Sequence, residues 1–201
     1  MNGTVTQDHY KGETMWSHTA LLIIDMQNDF VLPGAPVCVD GALETVPRIT
    51  KVLNRFRQAK APVFHVVREY REDGSDVEAN RQDFFRKTGG FVVPGTTGCE
   101  IVAVLKPLPG EYRLVKNRYS GFMNTELDFM LRRLGITRLV VCGTQYPNCV
   151  RATLFDAVAL GYEGVLVTDA ASAQTPEIAQ ANILDIQNIG VTCVETDVFL
   201  R

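Results

Sequence analysis

The chain has 201 residues, 46% of them apolar and 21% charged. That length fits one domain around a single core, and that balance excludes disordered, collagenous and coiled-coil proteins. With 20 Lys and Arg against 23 Asp and Glu, the formal charge is -3, so the electrostatic footprint of a nucleic-acid binder is missing and the expected partner is a small molecule.

The first eighteen residues have neither a basic start followed by an apolar run nor a small-residue cleavage site. They are expected to form a flexible tail before one domain over 19–201. No later stretch approaches the roughly 20 apolar residues of a membrane span, so no membrane partner is expected. Five cysteines, Cys38, Cys99, Cys142, Cys149 and Cys193, are odd in number and contain no C-x-x-C pair. Neither a disulfide framework nor a zinc ribbon is indicated, and a reducing cytoplasm is the expected setting.

From residue 20 onward, β-branched apolar runs alternate with longer helix-period segments, the pattern of βαβ units and an α/β fold. The first strand is predicted over 20–25 (ALLIID). A helix over 44–60 follows, with Val46, Ile49, Leu53 and Phe56 at 3-4-3 spacing on one face. The second strand is predicted over 62–68. After it, 70–98 is charged and glycine-containing, which predicts an excursion over the surface that covers a site rather than another strand. A strand over 112–116, a helix over 125–134 and a strand over 138–142 come next, followed by a helix over 149–160 and a strand over 164–168. A final helix over 176–189 has Thr175 as N-cap and Pro176 at its first position, before a sixth strand over 191–194. Runs such as ALLII, RLVVC and GVLVT are apolar throughout, as strands covered on both faces are. The expectation is a doubly wound, mainly parallel six-stranded sheet with helices on both faces.

In such a sheet ligands bind outside the carboxyl ends of the strands. Asp25 closes the first strand, Lys116 closes the third, and the fourth leads through Gly143 to Cys149 at a helix start. A carboxylate, an ammonium and a thiol can therefore meet on one rim. Each has a bland alternative: a turn residue for Asp25, a solvated lysine for Lys116, a small buried hydrophobe for Cys149. No G-x-G-x-x-G or P-loop follows the first strand, so nucleotide binding has no support and no cofactor is expected.

Three motifs, LLIIDMQNDF (21–30), VKNRYSGF (115–122) and GTQYPNCVRATLFDA (143–157), stand in this order at strand ends. Over about 19–198 the chain resembles the isochorismatase-like cysteine hydrolases, which include nicotinamidases and N-carbamoyl amide hydrolases. The resemblance implies a catalytic triad of Asp25, Lys116 and Cys149. Lys116 and the positive end of the following helix would favour the thiolate, which is the nucleophilic form. Asp25 would take the thiol proton and return it to the leaving amine, with a thioester between the two steps. The resemblance also implies a cis peptide at Thr144–Gln145, with the N–H groups of Gln145 and Cys149 forming an oxyanion hole. Dimers or tetramers are the assembly it implies.

Around the triad, Phe30, Arg68, Arg118, Tyr119 and Tyr146 are candidate pocket residues. Phe30 walls the pocket or fills the core. Arg118 orients an anionic substrate or lies exposed in a loop. Arg68, Glu69, Tyr70 and Arg71 meet substrate or form surface ion pairs. Tyr146 stands where many relatives have Thr and would narrow the pocket. Asp29 is expected to hold a loop by hydrogen bonds, His65 to be a core or interface residue, and Trp16 to dock on its own chain or on a neighbouring subunit. Nicotinamidases of the family carry D-x-H-x-x-x-H after the second strand, where this chain has REYREDGSD, so nicotinamide is disfavoured. His9, His18 and His65 form no cluster with ligand spacing, so no metal is expected. Members that cleave the vinyl ether of isochorismate generally do without the cysteine. The expected function is therefore metal-independent cleavage of a C–N bond in a small amide, ureido or carbamoyl compound. The alternatives are vinyl-ether hydrolysis with Asp25 as acid and a catalytically silent binding protein.

Overall fold

The structure, a computed structural model, describes residues 13–201. Its six strands are β1 (Thr19–Ile24), β2 (Val63–Arg68), β3 (Tyr112–Lys116), β4 (Arg138–Thr144), β5 (Glu163–Ser172) and β6 (Thr192–Val194). Its helices are α1 (Asn28–Val31), α2 (Ala42–Ala59), α3 (Gln82–Thr88), α4 (Leu127–Arg133), α5 (Arg151–Ala159), α6 (Pro176–Asn188) and α7 (Thr196–Phe199). The strands form one sheet in the order β3-β2-β1-β4-β5-β6, every pairing parallel. The order reverses between β1 and β4, which opens a crevice there at the carboxyl edge.

Alternation along β1 divides the core in two. Leu21 and Ile23 pack with Ile49, Leu53 and Phe56 of α2, whereas Ala20, Leu22 and Ile24 pack with Leu127 and Leu131 of α4 and Leu154 of α5. Both faces of every central strand are thereby kept dry, which is why the strands read as unbroken apolar runs. The Thr175 hydroxyl caps α6 by accepting from Ile178 N at 3.3 Å, as expected.

Three expectations are corrected. Residues 13–18, placed in a flexible tail, form a 3-10 helix (Glu13–His18), and Trp16 docks on its own chain with its ring 5.0 Å from that of Phe56. The rest of that tail, His9 included, lies outside the described residues. The helix expected from Cys149 begins at Arg151, because a π-helical turn, Tyr146–Val150, comes first. The strand expected over 164–168 extends to Ser172, past a register shift opposite Val141 and Gly143. Among the described residues no helix is long and apolar enough to cross a membrane.

The excursion after β2 contains no strand but is well anchored. Tyr70, Val77, Phe85, Phe91 and Val92 are buried in the α2-side core. Asp29 Oδ2 accepts from Val92 N at 2.7 Å, and Asn28 Nδ2 donates to Thr97 O at 2.8 Å. Asp29 thus holds a loop, as its position in the first motif suggested. It also explains Gly98, where an added Cβ would sit 2.2 Å from Asp29 Oδ1.

Candidate active site

Two backbone features shape the crevice. Asp25 leaves β1 at φ 50, in the left-handed region that a side chain other than Asn or Asp tolerates poorly. Beside it Gly143 has φ +114, and a Cβ there would lie 2.2 Å from Ile24 O, so β4 can approach β1 this closely only through glycine. The Thr144–Gln145 peptide is cis.

Asp25, Lys116 and Cys149 all come to this place, and all three are buried. Lys116 Nζ donates to Asp25 Oδ2 at 2.8 Å. Asp25 Oδ1 has no hydrogen-bond partner among the described residues. Burial and then the Asp25 carboxylate push the Cys149 thiol above its ordinary pKa, while Lys116 and Arg68 pull it down. The resting sulfur is therefore a protonated thiol beside a carboxylate with a free oxygen. Burial also raises Cys99 and Cys193, to about 11 each. Cys149 differs from them in having two cations at hand.

The nucleophile's turn is tied to the second motif. The Thr153 hydroxyl donates to Cys149 O at 2.7 Å and accepts from Gly121 N at 2.9 Å, so the 115–122 segment and the thiol are fixed relative to each other. The cavity at the thiol has a volume of about 20 Å³, room for about one water molecule. Its lining includes Asp25, Phe30, Arg68, Tyr119, Gln145 and Cys149. Phe30, Arg68 and Tyr119 thus stand where a pocket was expected.

Two of the expected pocket residues do not reach it. Arg118 Nη1 is held away by the carbonyls of Asp76 and Asn117, both at 2.8 Å. Tyr146 points its hydroxyl at Thr168 O, 2.7 Å away, and is buried among the α5-side core residues. Both corrections have one cause: a polar tip turns toward whatever carbonyl the fold leaves open, which local spacing does not reveal.

Sequence reasoning missed Arg81, from the excursion, which also lines the cavity. It missed Glu78 as well, whose Oε1 accepts from Arg68 Nη1 at 2.7 Å and whose Oε2 accepts from the Tyr70 hydroxyl. Against burial, which raises it, the Tyr70 hydrogen bond and the Arg68 charge hold the Glu78 carboxyl below its ordinary pKa. No periodic signal marks Glu78 among the charges of 70–98. Gln27, fully buried, was legible only as part of the first motif. Its side chain brackets the Arg68 backbone, accepting from Arg68 N and donating to Arg68 O, each at 2.8 Å. His65 is a core residue, with Nε2 2.9 Å from Glu111 Oε2. Among the described residues no three His, Cys, Asp or Glu side chains are grouped to hold a metal ion.

The arrangement can move one proton from sulfur to Asp25 Oδ1 and leave the sulfur anion among cations. A family model, the Isochorismatase domain, matches residues 19–198. A solved isochorismatase family protein from Desulfovibrio vulgaris superposes with TM-score 0.87 at 55% identity, covering 92% of this chain and 99% of that one. A protein of Arabidopsis thaliana named as a probable inactive nicotinamidase is 46% identical, covering 88% of this chain and 91% of its own. The ureidoacrylate amidohydrolase RutB of Agrobacterium fabrum is 34% identical, covering 85% and 83%. With three strand-end motifs on a wholly parallel sheet and a family match across nearly its full length, the chain belongs to the isochorismatase family of hydrolases.

Proposed function

We propose that the protein is a metal-independent cysteine hydrolase that cleaves a C–N bond in a small amide, ureido or carbamoyl compound. The observation that carries this reading is the meeting of Asp25, Lys116 and Cys149 at the β1/β4 crevice, with Lys116 Nζ 2.8 Å from Asp25 Oδ2 and the other carboxylate oxygen free. Asp25 Oδ1 takes the S–H proton as the sulfur attacks the carbonyl carbon. The C–N bond then breaks, and the proton passes to the departing nitrogen, leaving a thioester on Cys149. Water, deprotonated by the same carboxylate, hydrolyses the thioester and restores the thiol. Lys116 holds the carboxylate in place and its charge favours the thiolate. The N–H groups of Gln145 and Cys149 receive the developing oxyanion; in support, both residues line the cavity.

The ureido compound in the name of the Agrobacterium relative supports the C–N class. The name of the Arabidopsis relative, and REYREDGSD in place of D-x-H-x-x-x-H, support setting nicotinamide aside. The protein is proposed to assemble as a dimer or tetramer; a monomer by light scattering would contradict that.

The test is a screen of small amides, ureides and carbamoyl compounds with ammonia detection, followed by intact-mass analysis of quenched reactions. An acyl adduct on Cys149 and full turnover after EDTA treatment are expected. Turnover without an adduct in Cys149→Ala would overturn the covalent route, and loss on chelation with recovery on added zinc, iron or manganese would overturn metal independence.

A further inference from the structure

Lys116 is the cation expected to stabilise the sulfur, yet its ammonium is bonded to Asp25. A second cation reaches the sulfur directly. Arg68 Nη2 lies 3.4 Å from Cys149 Sγ, and the guanidinium is fully buried. Its backbone is bracketed by Gln27, and its other terminal nitrogen is fixed by Glu78 and Tyr70. The Tyr119 ring lies against the guanidinium, 5.1 Å from ring centroid to Cζ. A side chain with several rotatable bonds is thus locked by three neighbours, Glu78, Tyr70 and Tyr119, with one edge left for the thiol. Locking this long side chain costs rotamer entropy, and burying its charge carries a desolvation penalty that Glu78 offsets. Arg68 Nε is buried without a hydrogen-bond partner. A salt bridge serving stability alone would not need this edge turned toward the sulfur.

We propose that Arg68 is a second catalytic cation, which holds the Cys149 thiolate once Asp25 has taken its proton, and that Glu78 and Tyr70 are positioning residues that aim it. The proposal rests on the cysteine-hydrolase reading for its purpose, but not for its test. When the S–H proton moves to Asp25 Oδ1, the negative charge leaves the carboxylate, which faces Lys116, and appears on the sulfur, which faces Arg68. The charge of the site is unchanged, and each anionic position already has its own cation. A guanidinium suits the sulfur because it stays charged under all working conditions and is weakly hydrated, so it can stand in a dry cavity. Glu78 reaches Arg68 from the charged excursion, so that segment contributes to reactivity as well as to cover.

The groups facing the thiol are Asp25 just after β1, Arg68 from β2, Lys116 from β3, Arg81 from a 3-10 turn of the excursion (Ala79–Arg81) and Tyr119 from the 115–122 segment, with Glu78 behind Arg68. The thiol can be titrated without any substrate by ultraviolet thiolate absorbance against pH, with Cys149→Ala as baseline. Arg68→Met is expected to raise the midpoint by about one pH unit, a tenfold smaller thiolate fraction at neutral pH, with Arg68→Lys recovering part of it. Glu78→Gln removes the negative charge behind Arg68, while its carboxamide oxygen can still accept from Arg68 Nη1 and its nitrogen can donate to the Tyr70 hydroxyl, so Arg68 stays aimed and the midpoint is expected to fall. A purely structural role predicts neither the opposite signs nor the partial rescue. Should Arg68→Met not fold, the sign of the Glu78→Gln shift decides alone. An unmoved midpoint in a folded Arg68→Met, or a rise or no change in Glu78→Gln, would overturn the proposal. So would a higher KM with an unmoved midpoint in Arg68→Met, which would make Arg68 a substrate-binding residue. Absence of C–N turnover in the screen would count against the function and leave the titration result standing.

Discussion

Strand β2 contributes to two buried carboxylate clusters three residues apart, at His65 and at Arg68, and they do different work. At His65 the ring faces the α2 side with Val63 and Val67. Its partner Glu111 also accepts from Arg57 Nε of α2, at 2.6 Å, and from Leu108 N at 2.9 Å. Against burial, those hydrogen bonds hold the Glu111 carboxyl at about 2. At Arg68 the cluster instead borders a cavity and a thiol. The carboxylate of the first cluster has donors on both oxygens and on no side meets a reactive group, so it fastens β2 to α2. In the second, charge is aimed at an atom that can change its protonation. Burial of charge therefore marks both places, and only the neighbouring nucleophile separates function from structure.

Cys149→Ala gives the sharpest contrast: turnover is expected to fall by at least about a thousandfold with an unchanged circular dichroism spectrum. Glu111→Ala should keep turnover within a factor of two or so, and a comparable loss there would erase the distinction between the clusters. Next in size, Lys116→Met strands the Asp25 carboxylate in the core and is expected to cost about 3–5 kcal/mol in urea denaturation, together with a higher Cys149 midpoint. A variant as stable as the parent would mean that Asp25 is not charged against Lys116.

Glu111→Ala itself is expected to cost about 3 kcal/mol, because Arg57 and His65 lose a shared acceptor. Thermal melting would show this as a Tm lower by roughly 6–12 degrees, and an unshifted Tm would show that β2 needs no such fastening. The smallest effect is the pH dependence. Burial lowers the His65 pKa below its ordinary 6.5, so its contribution is complete above that value and is lost as the pH falls through the folded-state pKa. Glu111 shifts from 4.5 to about 2, so its contribution is complete above 4.5 and is lost as the pH falls toward 2. Denaturant midpoints should therefore decline in two acid steps, and Glu111→Gln should flatten the lower one. A profile that rises on acidification would reverse both signs.

Much of this architecture is legible in the sequence. Apolar β-branched runs separated by amphipathic helices determine a covered parallel sheet, because backbone pairing and burial on both faces leave no other place for ALLII or RLVVC. Asp25, Lys116 and Cys149 could be placed at strand ends because a strand's end is a local event, and the direction of a parallel sheet brings those ends to one edge. What tertiary structure alone decided lies in the turns and the excursion. The π-helical turn at Tyr146–Val150 has no periodic signature, and the aim of Arg118 and Tyr146 depends on carbonyls from distant segments. Glu78, Gln27 and Arg81 act through contacts across the fold, Gln27 to Arg68 across 41 positions among them. Sequence periodicity reports which face of an element is buried; which charge meets which sulfur is fixed only when the elements pack.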